Sequence, residues 1–74
     1  MSAQTLPVGD KRLTPRQREM VRLMARGLPY AQIAAEMNLS LFTIKNYAER
    51  IFERLGVYSR AGAVGVALRA GLLD

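Results

Sequence analysis

The 74-residue chain has no cysteine and no histidine. That removes disulfides, thiol nucleophiles, imidazole bases and any thiolate or imidazole metal site. No uninterrupted apolar run approaches the roughly 20 residues of a membrane span, and the N-terminus lacks the apolar core of a signal peptide. The expected location is therefore the cytoplasm. No strand pattern, internal repeat or low-complexity run is present. The length leaves room for one small domain, which buries only about 60% of the surface its unfolded chain exposes, so stability must come from packing, and a second catalytic lobe does not fit. Glu19, Glu36, Glu49 and Glu53 fall on helical stretches as solvated or structural partners. No convergent acid–base pair, phosphate loop or ligand cluster appears. The expectations are no enzyme, no metal, no cofactor and no small-molecule ligand.

What is present is positive charge and helical punctuation. Eleven Lys and Arg stand against six Asp and Glu, a net charge of +5 at pH 7, and this imbalance favours a polyanionic partner through counterion release. The stretch from Ile33 to Tyr47 reads as two short helices joined by a tight turn. Ala34 stands where the two backbones approach most closely. Asn38 stands at the turn, where a residue tolerant of positive φ is needed, because its short amide can hydrogen-bond locally. Ile33, Met37, Leu39, Ile44 and Tyr47 fall on the inward side. Thr43, Lys45, Asn46, Glu49 and Arg50 fall on the outward side, the arrangement of a helix-turn-helix unit whose second helix enters the DNA major groove.

The ends of the other helices are also written locally. Residues 1–12 carry Pro7, Gly9 and Asp10 as breakers and read as a flexible arm or linker, with the folded domain at 13–74. Thr14-Pro15-Arg16-Gln17 is a helix start with a capping box. Helix one should reach about Arg26, with Gln17, Met20, Val21 and Met24 inward and Leu23 beside them. Helix two should span about Tyr30 to Met37, weakly started because Pro29 offers no capping hydroxyl. Ser40 should cap helix three, about Leu41 to Leu55, with Ile44, Ala48, Ile51 and Leu55 inward. Ser59 should cap helix four, about Arg60 to Ala70, with Val64 and Leu68 inward. Gly27, Gly56 and Gly71 each follow a helical stretch and precede an apolar residue, the pattern of a left-handed helix end in which Leu28 folds onto Leu23 and Val57 onto Phe52.

Four motif stretches, Leu13 to Glu19, Gln32 to Met37, Ser40 through Tyr47, and Arg54 to Arg60, make the chain resemble the LuxR/GerE-type helix-turn-helix family of bacterial transcription regulators over about Leu13 to Leu73. The sigma-factor region-four unit is similar in its helix-turn-helix, but Leu55-Gly56-Val57-Tyr58-Ser59-Arg60 followed by a fourth helix favours the LuxR type. The resemblance implies an all-α, four-helix domain that binds double-stranded DNA to regulate transcription, associated with the nucleoid when bound. It also implies that residues matching Lys45, Asn46 and Glu49 point at base edges. Lys45 can donate to guanine O6 or N7, Asn46 can pair with adenine, and Glu49 can accept from a cytosine amino group. The alternatives are a solvated or phosphate-bound Lys45 and a Glu49 paired with Lys45 or Arg50.

Thr43, in the first turn of helix three, is a candidate phosphate contact or a second capping hydroxyl. Tyr47, Arg50 and Arg54 are further candidates for the DNA backbone, although Arg54 can equally lie over the core on its stem. Arg18, Arg22 and Arg26 recur every fourth residue and read as a solvated face. The family's fourth helix forms a two-fold contact, which implies a homodimer through a smooth face of Ala61, Gly62, Gly65 and Arg69. The chain departs from the family pattern at Gln17, where Glu is usual, at Tyr47, where His is usual, and at Leu41 and Phe42, where polar residues are usual. For Leu41 and Phe42 the preferred expectation is partial burial against helix one or two. The sharper alternative is contact between Phe42 and a thymine methyl. A competing function is a protein-interaction module that docks RNA polymerase or another regulator. Nothing in the residues names the input signal, and a free-standing regulator and the C-terminal part of a larger one fit equally.

Overall fold

A computed structural model describes residues 13–73, so the arm expected over residues 1–12 lies outside the described residues, as does Asp74. Four helices follow one another: α1 (Pro15–Ala25), α2 (Tyr30–Met37), α3 (Leu41–Leu55) and α4 (Arg60–Arg69). No strand occurs among the described residues. This is the all-α, four-helix helix-turn-helix fold.

Each helix follows an extended N-cap residue, Thr14, Pro29, Ser40 or Ser59, and three of the four accept a backbone amide through the side-chain oxygen. Thr14 and Gln17 form the capping box, with Gln17 N–H donating to Thr14 Oγ1 at 3.0 Å and Thr14 N–H to Gln17 Oε1 at 2.9 Å. Gln17 is thereby only half-buried. Its expected place on the inward stripe is corrected: its amide is held at the helix end, leaving Met20, Val21, Leu23 and Met24 as the buried residues of α1. Ser40 and Ser59 cap α3 and α4 through the amides of Thr43 and Gly62, each at 3.0 Å. Pro29 supplies no side-chain bond to α2.

All four helices end the same way. A residue with φ between 59° and 83° follows or closes the last turn: Gly27, Asn38, Gly56 and Gly71. The next amide then reaches back five residues, from Leu28 to Leu23 O, Leu39 to Ala34 O, Val57 to Phe52 O and Leu72 to Ala67 O, at 3.4, 2.9, 2.9 and 2.8 Å. This closing bond satisfies a terminal carbonyl and drives an apolar side chain back over the helix it has just left.

The core is the sum of the four inner faces. Met20, Val21, Ile33, Ile44 and Ile51 are fully enclosed, with Leu13, Leu23, Met24, Ala34, Met37, Ala48, Leu55, Ala63 and Ala67 around them. Leu39 and Tyr47, expected inward, are half-buried and pack against this cluster. Helices α2 and α3 pack on each other, while α4 closes the other side against α1 and α3.

Helix α4 corrects the sequence expectation. Ala63 and Ala67 are fully buried, whereas Leu68 is 62% exposed and Val64 only half-buried. Apolar side chains occur all round this helix, so periodicity does not select a face. Close approach does. A side-chain carbon at Gly62 would lie 3.1 Å from Val57 Cβ and 3.2 Å from Ser59 Oγ, so the glycine lets the first turn of α4 sit tightly on the α3–α4 connection. That contact helps set the rotation that turns Ala63 and Ala67 inward.

Arg60, at the start of α4, fastens it to the α1–α2 turn. Its guanidinium donates to the Leu28 carbonyl and, at 3.4 Å, to the Met24 carbonyl, and lies 5.3 Å from the Tyr30 ring centroid. The arrangement gives a direct check in urea unfolding. Ala67→Leu, which inserts three heavy atoms into a closed contact, should cost about 1–3 kcal/mol. Leu68→Ala should stay within about 0.5 kcal/mol of the parent. The reverse order would mean that α4 is rotated with Leu68 inside.

Candidate nucleic-acid interface

The second helix of the helix-turn-helix unit, α3, presents three stripes set by its 3.6-residue turn. Ile44, Ala48, Ile51 and Leu55 form the buried one. Opposite to it run Phe42, Lys45, Asn46 and Glu49, spaced i, i+3, i+4 and i+7, and all four are exposed. Along one flank run Thr43, Tyr47, Arg50 and Arg54. Of these, Thr43 and Tyr47 are half-buried, and Arg50 and Arg54 are exposed. The structure therefore brings the sequence-derived candidates together as two adjacent stripes of one helix.

The amino end of α3 is ordered around one hydroxyl. Ser40 Oγ accepts from the Thr43 amide and donates to Thr43 Oγ1, both at 3.0 Å. Thr43 accordingly accepts in this pair and keeps its own hydroxyl proton for another acceptor. The helix dipole adds a partial positive charge at the same end, within one turn of Lys45.

The flanking stripe meets the start of α1. Tyr47 and Arg50 line a shallow hollow with Thr14, Arg16 and Gln17. Arg16 is anchored there, donating to the Met37 carbonyl at 3.0 Å and pairing with Glu19 at 3.2 Å. The ion pair, with both side chains nearly half exposed, adds little stability. The bond to Met37 O does more, because it satisfies a terminal carbonyl of α2 just before the turn. Arg54 is exposed rather than laid over the core.

Phe42 overturns the expectation of partial burial, whereas Leu41 is partly covered. Phe42 is 75% exposed and Leu41 43%. Both sit in the first turn of α3, ahead of its first buried position, Ile44. The arginine series on α1 is only partly solvated: Arg22 and Arg26 are exposed, but Arg18 is half-buried, with its Nε enclosed and without a partner among the described residues.

On α4, Ala61 and Arg69 are exposed and Gly62 and Gly65 half-buried. Gly62 faces Val57 of its own chain, and the Arg69 guanidinium lies over Gly65, 3.4 Å from where a side-chain carbon would stand. Sequence reasoning missed two features. One is the exposed Leu68 beside Arg69, and the other is the anchoring role of Arg60. Neither has a local signal, since Arg60 acts on residues more than thirty positions away.

A family model described as bacterial regulatory proteins, luxR family, matches residues 11–67. The chain belongs to that family. It is 42% identical over 62 residues to the probable transcriptional regulatory protein NarL of Mycobacterium tuberculosis, a match that takes in 84% of this chain and 29% of the relative. It is 42% identical over 52 residues to the probable HTH-type transcriptional regulator GfsR of Streptomyces halstedii, covering 70% and 21% of the two chains. With the transcriptional regulatory protein RcsB of Escherichia coli K12 it shares 41% identity over 49 residues, covering 66% and 23%. The chain thus spans less than a third of the length of these relatives.

Ser40 orders both the start of α3 and the Thr43 hydroxyl. Ser40→Ala should therefore destabilise the fold by about 1 kcal/mol, read as a lowered urea midpoint with an unchanged slope, while Ser40→Asp should recover most of that loss.

Proposed function

We propose that this luxR-family chain binds double-stranded DNA sequence-specifically and regulates transcription, with α3 lying in the major groove. The observation that carries the reading is the outer stripe of α3. Lys45, Asn46 and Glu49 stand exposed on the face opposite the core, on a helix anchored by its own buried stripe. No hydrogen bond or ion pair among the described residues engages the three side chains. Such groups are matched to base edges: the ammonium to guanine O6 or N7, the carboxamide to adenine N6 and N7, the carboxylate to a cytosine amino group. The names of NarL, GfsR and RcsB as transcriptional regulators support the same reading.

Affinity then comes from the neighbouring stripe and the charge. Thr43 offers a hydroxyl proton to a phosphate, Tyr47 a phenol at the hollow beside α1, and Arg50 and Arg54 positive charge along the strand. With a net charge of +5, release of counterions from the duplex provides the bulk of the binding free energy. Glu49 repels the same phosphates and so works in the opposite sense. Its use lies in rejecting base pairs without a cytosine amino group, which lowers affinity everywhere and raises discrimination.

A homodimer on repeated half-sites completes the proposal. The contact is assigned to the outer face of α4, with Ala61, Gly62, Gly65 and Arg69. Within it, Gly62 serves the chain's own packing, and Leu68 adds exposed apolar surface. A protein acting on chromosomal DNA in this way works in the bacterial cytoplasm, at the nucleoid.

The exposure of Leu41 and Phe42 favours a second reading, docking to RNA polymerase or another regulator. Competition between a selected and a random duplex at raised salt separates the two, because a docking module with a net charge of +5 binds both alike through charge alone. On a site selected from a random duplex pool, Lys45→Ala should cost about 1–3 kcal/mol and flatten the preference at the base pair it reads. Arg50→Ala should weaken all sequences alike and lower the slope of log K against log salt by about 1. Equal binding of parent and Lys45→Ala to the selected site would refute the groove assignment.

A further inference from the structure

We infer that Phe42 is a specificity-determining residue, its ring reading the C5-methyl of a thymine in the major groove next to the base pair met by Lys45. The inference rests on the DNA-binding reading above and deepens it. Phe42 is 75% exposed although it is among the largest apolar side chains in the domain, so the fold does not use it. It is the second residue of α3, and the first residues of a groove-binding helix are those that meet base edges. It shares the outer stripe with Lys45, Asn46 and Glu49, and lies roughly 4.5 Å before Lys45 along the axis at 1.5 Å per residue. That offset corresponds to the next base pair or two along the groove.

The chemistry selects the target. A phenyl ring cannot donate to a phosphate, and among the groups that base pairs display in the major groove only the thymine methyl is apolar. The amide of Thr43, behind Phe42, is already taken by Ser40 Oγ, so it does not compete with the ring for a base. Its neighbours on the stripe are a lysine, an asparagine and a glutamate. These are groups that pair with base edges, so the ring stands in a row of base-reading side chains, with Leu41, 43% exposed, adjoining it in the chain.

The test uses the whole chain and a duplex selected by it from a random pool. Each thymine of the selected site is replaced in turn by deoxyuridine, which removes the methyl and nothing else, and binding is compared for the parent and for Phe42→Ala. At one thymine the parent should lose about fourfold in affinity, the factor that burying one methyl-sized group supplies. Phe42→Ala should bind the thymine site about as weakly and be indifferent to the exchange, and Phe42→Leu should keep part of the difference. An unchanged thermal midpoint shows that the variants fold. If parent and Phe42→Ala bind the selected duplex equally and no thymine-to-uridine exchange matters, the inference fails while DNA binding stands. If no duplex binds even at low salt, the parent reading fails and takes this one with it.

Discussion

The left-handed turn at Asn38, φ 59° and ψ 43°, decides where α3 points. Three residues, Asn38, Leu39 and Ser40, separate the last turn of α2 from the first of α3, too few to let the second helix choose its own direction. The turn is held from both sides. The Leu39 amide closes on Ala34 O at 2.9 Å, and the Arg16 guanidinium closes on Met37 O at 3.0 Å. Ala34, 6% exposed, keeps α2 slim where α3 crosses it. Once the turn is fixed, the buried stripe of α3 can meet the core in only one rotation, and the opposite stripe is delivered to the outside as a consequence of packing. The exposed outer face of α3 is thus a by-product of what the core requires.

That separation lets one short helix carry two unrelated demands. Ile44, Ala48, Ile51 and Leu55 supply stability, and the 15-residue length of α3 supplies reach. The outer stripe is exposed, so the core does not dictate its residues. The proposed interface follows from this: a lysine, an asparagine, a glutamate and an exposed phenylalanine each suit a different group on a base pair, while the flanking stripe of Thr43, Tyr47, Arg50 and Arg54 addresses the strand. Helices α1 and α4 act at a distance by bracing this unit, with Arg60 joining the start of α4 to the α1–α2 turn.

Helix ends and their order were legible in the sequence because their causes are local. Thr14 with Gln17, Ser40, Ser59, and the positive-φ residues Gly27, Asn38, Gly56 and Gly71 each act within five residues, and all of them do in the structure what their positions imply. The buried stripes of α1 and α3 were legible because their apolar residues keep to one side. Helix α4 was not, since Ala63, Val64, Val66, Ala67 and Leu68 surround it and its rotation is set by contacts between elements, the close approach of Gly62 to Val57 and the bonds of Arg60 to Met24 and Leu28. Phe42 was misjudged for a related reason. An apolar residue in a first turn is buried or exposed according to what another element places over it, and no spacing within the helix reports that.

The central claim is that the outer stripe of α3, rather than the arginine-rich side of α1, meets the duplex. Backbone amide shifts followed by NMR while a selected duplex is added test it most directly. The account predicts that the largest changes fall on residues 40–50, foremost Phe42, Lys45, Asn46 and Glu49, with a second group at Thr14–Gln17 beside Tyr47 and Arg50. Changes centred on Arg18, Arg22 and Arg26, with α3 unaffected, would contradict it.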